Sequence, residues 1–174
     1  EPTGTLQALI LAPTRELVMK IAADAHLLCK YTDLKIATLV GGIDYQKQQR
    51  GLDNEIVDIV AATPGRLLDF VRNKNIDLSM IELLVIDEAD RMMDMGFSDE
   101  IEAILNYLPR KRQTLLFSAT YPDGIAKISG RVQEDPVHLD VTQMESSAEI
   151  EEHWSLVRLD QRLHCLLDAL EDMA

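Results

Sequence analysis

Apolar residues along this chain come in short runs, each cut off by a polar or Gly/Pro-rich segment and then followed by apolar positions three to four apart. Leu6–Leu11 is the first run, too short for a helix, and it stops before Pro13, which bars continuation of a central strand. The residues past Pro13-Thr14-Arg15-Glu16 open a helix with Leu17, Ile21, Ala25 and Leu28 near a 3.6-residue period. Lys35–Val40 predicts a second strand ending at Gly41-Gly42. Ile56–Ala62 predicts a third, ending at Thr63-Pro64-Gly65-Arg66 with a helical pattern to about Arg72. Leu83–Ile86 is the fourth, followed by Asp87-Glu88-Ala89-Asp90 and a helical stretch at Ala89–Met93. Thr114–Phe117 is the fifth, ending at Ser118-Ala119-Thr120. A weaker helix across Asp123–Arg131 and a short edge-like strand at Val137–Leu139 complete the pattern.

Strand and helix patterns in alternation predict an α/β fold, a parallel sheet flanked by helices. In an open parallel sheet all the carboxyl ends lie on one edge, so the five polar segments gather there into a single surface, the edge at which ligands bind. Each segment alone has a bland explanation. Gly41-Gly42 reads as a turn, Pro64-Gly65 as a loop-to-helix junction, and Ser118 and Thr120 as helix N-caps. Five of them in this order are harder to explain so.

The fourth junction carries the sharpest chemistry. Three carboxylates, Asp87, Glu88 and Asp90, stand within four residues of the end of a buried strand. Crowded there, they repel one another and lose hydration unless a cation compensates. A divalent metal with nucleotide phosphates supplies one, the Walker-B arrangement of nucleotide hydrolases. The competing explanation is a helix N-terminus, whose dipole Asp and Glu complement.

Composition changes the picture in one respect. With 174 residues, 47% apolar and 27% charged, the chain has room for one domain and a piece of a second. A net charge of −13 argues against nucleic-acid binding through bulk charge, so such contact has to be local, made by a few placed donors. From Asp140 onward there are 9 acidic and 2 basic residues, so more than half of the excess lies outside the motif-bearing part. Cys29 and Cys165 stand far apart without a CxxC pattern, and the four histidines show no HxxxH spacing, which suggests reduced thiols and no zinc site. No apolar run approaches the roughly 18 residues that span a bilayer, and nothing at the start resembles a signal peptide, so a soluble cytoplasmic protein without membrane contact is expected.

PTREL at Pro13–Leu17, the pair Gly41-Gly42, TPGR at Thr63–Arg66, DEAD at Asp87–Asp90 and SAT at Ser118–Thr120 resemble the ordered motifs of the DEAD-box RNA helicases of superfamily 2. They cover the first of that family's two RecA-like domains from its second strand onward. The stretches DRMMDMGF and QTLLFSATYPDGI are similar to bacterial members, the DbpA-like branch that acts on ribosomal RNA among them.

The resemblance implies an ATP-dependent RNA helicase, with ATP and Mg²⁺ as cofactors and RNA as partner. It implies that Asp87 holds Mg²⁺ through water and that Glu88 orients or deprotonates the attacking water. Asp90 would bond toward the hydroxyls of the Ser118-Ala119-Thr120 motif and couple hydrolysis to RNA remodelling. Pro13, Thr14, Arg15, Gly41, Gly42, Thr63, Pro64, Gly65 and Arg66 would line a track for one RNA backbone, read through phosphates and 2′-hydroxyls without regard to sequence. An alternative for Arg15 and Arg66 is intradomain ion pairing, for instance with Glu16 or Asp69.

Two departures bound the resemblance. No GxxxxGK[ST] phosphate loop occurs anywhere. The chain is therefore expected to be a piece: residues 1–139 a first RecA-like domain lacking its phosphate-loop strand, 140–150 an acidic linker, and 151–174 the start of a second domain. His153–Leu159 would be its first strand and Gln161–Met173 its first helix. Alone, such a piece is expected to be inactive. Val18 stands where Ala is usual after PTREL, a small change on an apolar helix face. Two other classes remain open, a non-catalytic RNA- or protein-binding module derived from a helicase and a DNA-directed translocase. Oligomeric state is not legible.

Overall fold

The structure, a computed structural model, describes residues 5–54, 56–121, 123–141, 157–158 and 161–165. Five four-residue strands, β1 (Ala8–Leu11), β2 (Ile36–Leu39), β3 (Ile59–Ala62), β4 (Leu83–Ile86) and β5 (Gln113–Leu116), form one sheet in the order β2-β3-β1-β4-β5. Every pairing is parallel, and the register sets Leu39, Ala62, Leu11, Ile86 and Leu116 side by side. All five strands therefore end level. That flush edge is what brings sequence-distant motifs onto one surface.

Alternation along the strands sorts the core. Leu9, Leu11, Val60, Ala62, Leu84 and Ile86 belong to one large cluster, with Leu67 and Phe70 of α3 (Pro64–Arg72), Met92 of α4 (Ala89–Asp94), Ile101 and Ile104 of α5 (Ser98–Leu105) and Ile125 of α6 (Asp123–Val132). Ala61 faces the other way with Ala12, Val40 and Val18 of α1 (Arg15–Leu28), and Ile10 packs against that smaller cluster. Phe70 is fully buried and lies 4.2 Å, centroid to centroid, from the ring of Tyr45 at the start of α2 (Tyr45–Asn54). Burying a side chain of that size contributes about 2–3 kcal/mol.

Several expectations are corrected. Val137–Leu139 forms no strand: Val137 and Leu139 are 84% and 86% exposed, so no packed face rewards pairing there. Leu28 is exposed too, because the buried row of α1 runs through Val18 and Ala22 with Leu17, Ile21 and Ala25 beside it. Helices α2 and α5 went unread. The thiols of Cys29 and Cys165 are free and half-buried.

Among the described residues β5 pairs only with β4, and Leu115, Phe117 and Tyr121 on or just past it are 38%, 54% and 53% exposed. The chain divides into two compact units, Glu1–Pro136 and Val137–Ala174. In the second, the Gln161 amide donates to the Arg158 carbonyl at 3.0 Å and opens a helical turn. Most of the strand and helix expected at His153–Leu159 and Gln161–Met173 lies outside the described residues. No helix of the described residues is long and apolar enough to cross a membrane.

Candidate functional site

Where β4 ends, the Asp87 amide still donates to the Leu11 carbonyl at 2.9 Å, so the first carboxylate leaves the sheet from a fixed position. Glu88 then takes φ +48 and ψ +52, the left-handed region, at a cost of about 1–2 kcal/mol for a side-chain-bearing residue. Three bonds offset that strain. Asp87 Oδ1 accepts from the Glu88 amide (2.9 Å), the Ala89 amide donates to the Phe117 carbonyl (3.0 Å), and the Met92 amide donates to the Glu88 carbonyl (3.0 Å). The left-handed turn starts α4 at once and swings the Glu88 side chain off the strand line. Its carboxylate takes an ion pair from Arg91 Nη1 at 3.1 Å. Asp87 Oδ2 has no hydrogen-bond partner among the described residues.

Asp90 faces the end of β5. Its Oδ2 accepts from the Thr120 amide (3.0 Å) and from Thr120 Oγ1 (2.9 Å), and its Oδ1 from the Arg91 amide (3.0 Å). The Asp90 amide donates to Ser118 Oγ (3.2 Å), whose own proton goes to the Thr120 carbonyl at 2.6 Å. Burial alone would raise the Asp90 carboxyl, but hydrogen bonds from Thr120 Oγ1 and from the Arg91 and Thr120 amides outweigh it and hold the group below its ordinary 3.8. Ala119 is exposed between the two hydroxyl residues.

A second group forms where β2, β3 and β1 end. Thr14 caps α1, its Oγ1 accepting from the Leu17 amide at 3.3 Å, a bond worth about 1 kcal/mol to the helix. Gly42 has φ +75, and a Cβ there would meet Arg15 Nη1 at 3.6 Å, so Arg15 lies against the glycine turn. Arg66 Nη1 donates to the Ile43 carbonyl (3.0 Å), and its guanidinium sits 5.6 Å from the Tyr45 ring centroid. Among the described residues neither arginine forms an ion pair, so the alternative of pairing with Glu16 or Asp69 is not what the structure shows. Thr63 precedes α3 without capping it by its side chain, and Pro64 at the first helical position has no amide hydrogen. The Gly65 and Arg66 amides consequently point out of an open helix end, a setting that attracts phosphate. Pro13 and Pro64 are buried, and their rings set the two turns.

The sheet order divides the candidate residues. Glycine pair, TPGR and PTREL stand on three adjacent strand ends, DEAD and SAT on the remaining two. Sequence reading missed Arg91 and Gln48. The first had a signal, a cation three residues after Glu88 on the same helix. The second, which holds the glycine turn from α2, had none.

A parallel sheet carrying acid, hydroxyl and glycine motifs at its carboxyl edge defines a nucleotide-hydrolase type of α/β domain, the RecA-like kind. The profile of the DEAD/DEAH box helicase family matches residues 1–128, and this chain belongs to that family. It is 46% identical over 153 residues to the ATP-dependent RNA helicase RhlB of Pseudomonas aeruginosa, covering 86% of this chain and 38% of that protein. To the ATP-dependent RNA helicase DbpA of Escherichia coli it is 45% identical over 149 residues, covering 85% and 32%. The crystal structure of the yeast DEAD-box splicing factor Prp28 matches with a TM-score of 0.69 at 38% identity, over 74% of this chain and 31% of that one. The chain thus spans about a third of the length of these proteins.

Proposed function

We propose that this chain is most of the first RecA-like domain (residues 1–139), a linker (140–150) and the start of a second domain (151–174) of an ATP-dependent RNA helicase. The observation that carries the proposal is the level carboxyl edge, which sets Asp87-Glu88, tied through Asp90 to Thr120, on the same surface as the open α3 terminus, Arg15 and Gly42. The donor set suits Mg²⁺. A single carboxylate with one unengaged oxygen, Asp87 Oδ2, fits an ion that keeps most of its water and takes only one or two carboxylates from protein. When bound, the ion neutralises charge on the nucleotide phosphates.

Glu88 accepts the proton of the attacking water, and the ion pair with Arg91 holds its side chain in place until that step. Asp90 and Thr120 couple the nucleotide end of β4 to β5, short polar side chains able to exchange partners between two states. On the other half, Arg15, Arg66 and the amides of Gly41, Gly42, Gly65 and Arg66 hold phosphates of one RNA strand, with the Thr63 hydroxyl free for a 2′-oxygen. Such contacts ignore base identity. The resemblance of DRMMDMGF and QTLLFSATYPDGI to the DbpA-like branch makes ribosomal RNA the favoured target, and a cytoplasmic location accords with it.

The test is RNA-stimulated phosphate release by the full-length protein that carries this chain. Glu88→Gln should lower turnover by roughly 10²-fold or more, the size of a general-base contribution, while nucleotide still binds. Undiminished phosphate release would sink the assignment.

A further inference from the structure

We infer that Gln48 is a positioning residue for RNA, one amide that closes the Gly41-Gly42 turn into its phosphate-binding shape; the inference rests on the RNA track proposed above. Among the described residues β2 is an edge strand, and the Leu39 carbonyl accepts from the Thr63 amide past the end of its one neighbour, β3. Backbone groups alternate sides along a strand, so the N–H and C=O of Val40 point to the open flank. Gln48, one turn into α2, meets both. Its Oε1 accepts from the Val40 amide at 2.8 Å and its Nε2 donates to the Val40 carbonyl at 3.2 Å, as the backbone of a neighbouring strand would.

The same Nε2 donates to the Ile43 carbonyl at 3.3 Å, with the Asp44 carbonyl at 3.4 Å. Start and end of the turn are thereby tied to one side chain. Asp44 Oδ1 accepts from the Lys47 amide at 2.7 Å and fixes the first turn of the helix that carries Gln48. The Ile43 carbonyl that Gln48 restrains also receives Arg66 Nη1, while the Arg66 guanidinium keeps its own place beside the Tyr45 ring. Gly41 and Gly42 are exposed, and among the described residues their amides have no partner. Both point outward from a turn that cannot collapse while the clamp holds.

The experiment uses the full-length protein and a fluorescent single-stranded oligouridylate, titrated across a salt series, with hydrogen exchange at the Val40 amide read alongside. Gln48→Ala should weaken RNA binding about tenfold, the size expected for losing two to three backbone hydrogen bonds at a partly exposed site. The slope of affinity against salt should stay unchanged, because no cation is removed, and Val40 should exchange faster. Gln48→Glu keeps the acceptor and loses the donors, so it should weaken RNA binding while Val40 stays protected. Arg66→Ala should weaken binding and reduce the salt slope by about 0.7, one phosphate on a single strand. If Arg66→Ala weakens binding and Gln48→Ala does not, the clamp is overturned and the RNA track stands. If Arg66→Ala is silent as well, the track fails and the inference with it. A salt slope that falls in Gln48→Ala overturns the inference too, since it would mean the surface as a whole was lost.

Discussion

Asp90→Asn is the sharpest probe of the link between β4 and β5, because the two side chains are the same size and differ in what they can accept. The carboxylate takes three hydrogen bonds, two at Oδ2 from Thr120 and one at Oδ1 from the Arg91 amide. Asparagine has one oxygen. Turned toward Thr120 it sets its NH₂ against the Arg91 amide; turned toward Arg91 it sets NH₂ against the Thr120 amide. At least one bond is lost and two donors face each other either way. Hydrogen bonds to charged groups are worth about 1.5–3 kcal/mol each where water is excluded, and this half-exposed site takes the low end, for a total of about 1–2 kcal/mol. In urea the midpoint should fall by about 0.5–1 M with the slope unchanged.

The pH dependence supplies a second check on the same variant. The Asp90 carboxyl titrates below 3.8 in the folded protein, so its contribution is present above that value and is lost as the pH falls through the lower folded one. Wild type and Asp90→Asn should differ at pH 7 and converge as acid protonates Asp90. Equal midpoints at pH 7, or a gap that persists undiminished at pH 3, would refute the reasoning.

Glu88→Gly should raise stability by about 0.5–1 kcal/mol, since glycine removes the left-handed strain at φ +48, while abolishing RNA-stimulated hydrolysis; thermal melts and phosphate release read the two effects separately. Arg91→Ala breaks an ion pair whose partners are 57% and 41% exposed, so denaturation should move by less than about 0.5 kcal/mol even where turnover falls. Phe70→Ala should cost about 3–5 kcal/mol in a denaturant titration, and it should loosen Tyr45, seen as lost protection across the start of α2. A deoxy-oligonucleotide should bind the full-length protein more weakly than the matched ribo-oligonucleotide in an anisotropy titration, through loss of the 2′-hydroxyl contact.

The parts of the fold that burial dictates were open to sequence reading. Leu83–Ile86 is the observed β4, and the helix read to about Arg72 ends there. Strand starts at Leu6, Lys35 and Ile56 were placed one to three residues too early. The ladder begins only where neighbours come level, and the preceding Gln7 and Asp58 join it through single carbonyls that each accept two amides. Helix α2 escaped because its sequence, YQKQQRGLDN, offers only Tyr45 and Leu52 to the core. Asp44 and Gln48 support it through polar bonds that leave no periodic trace. The chemistry-bearing segments were legible as types, not as an arrangement. Strand order is a long-range property, and nothing local separates the ends of β2, β3 and β1 from those of β4 and β5. Nor does an acidic residue announce a positive φ, so the turn that presents Glu88 had to be seen.

The flank of β5 away from β4 has a bearing on how any preparation of this 174-residue chain behaves in a test tube. Among the described residues no strand pairs with that flank, though Gln133 Nε2 donates to the Thr114 carbonyl there, and with Leu115 and Phe117 exposed beside it the flank is a partly covered template onto which a second copy can add a strand. What opposes that is colloidal: a net charge of −13 keeps copies apart at neutral pH. The repulsion vanishes near the isoelectric point of about 4.6 and is screened at high salt, where the Debye length shrinks to about 3 Å at 1 M. Mild alkalinity and low ionic strength are therefore the conditions under which this chain should keep longest, and acidification should turn it cloudy before it unfolds.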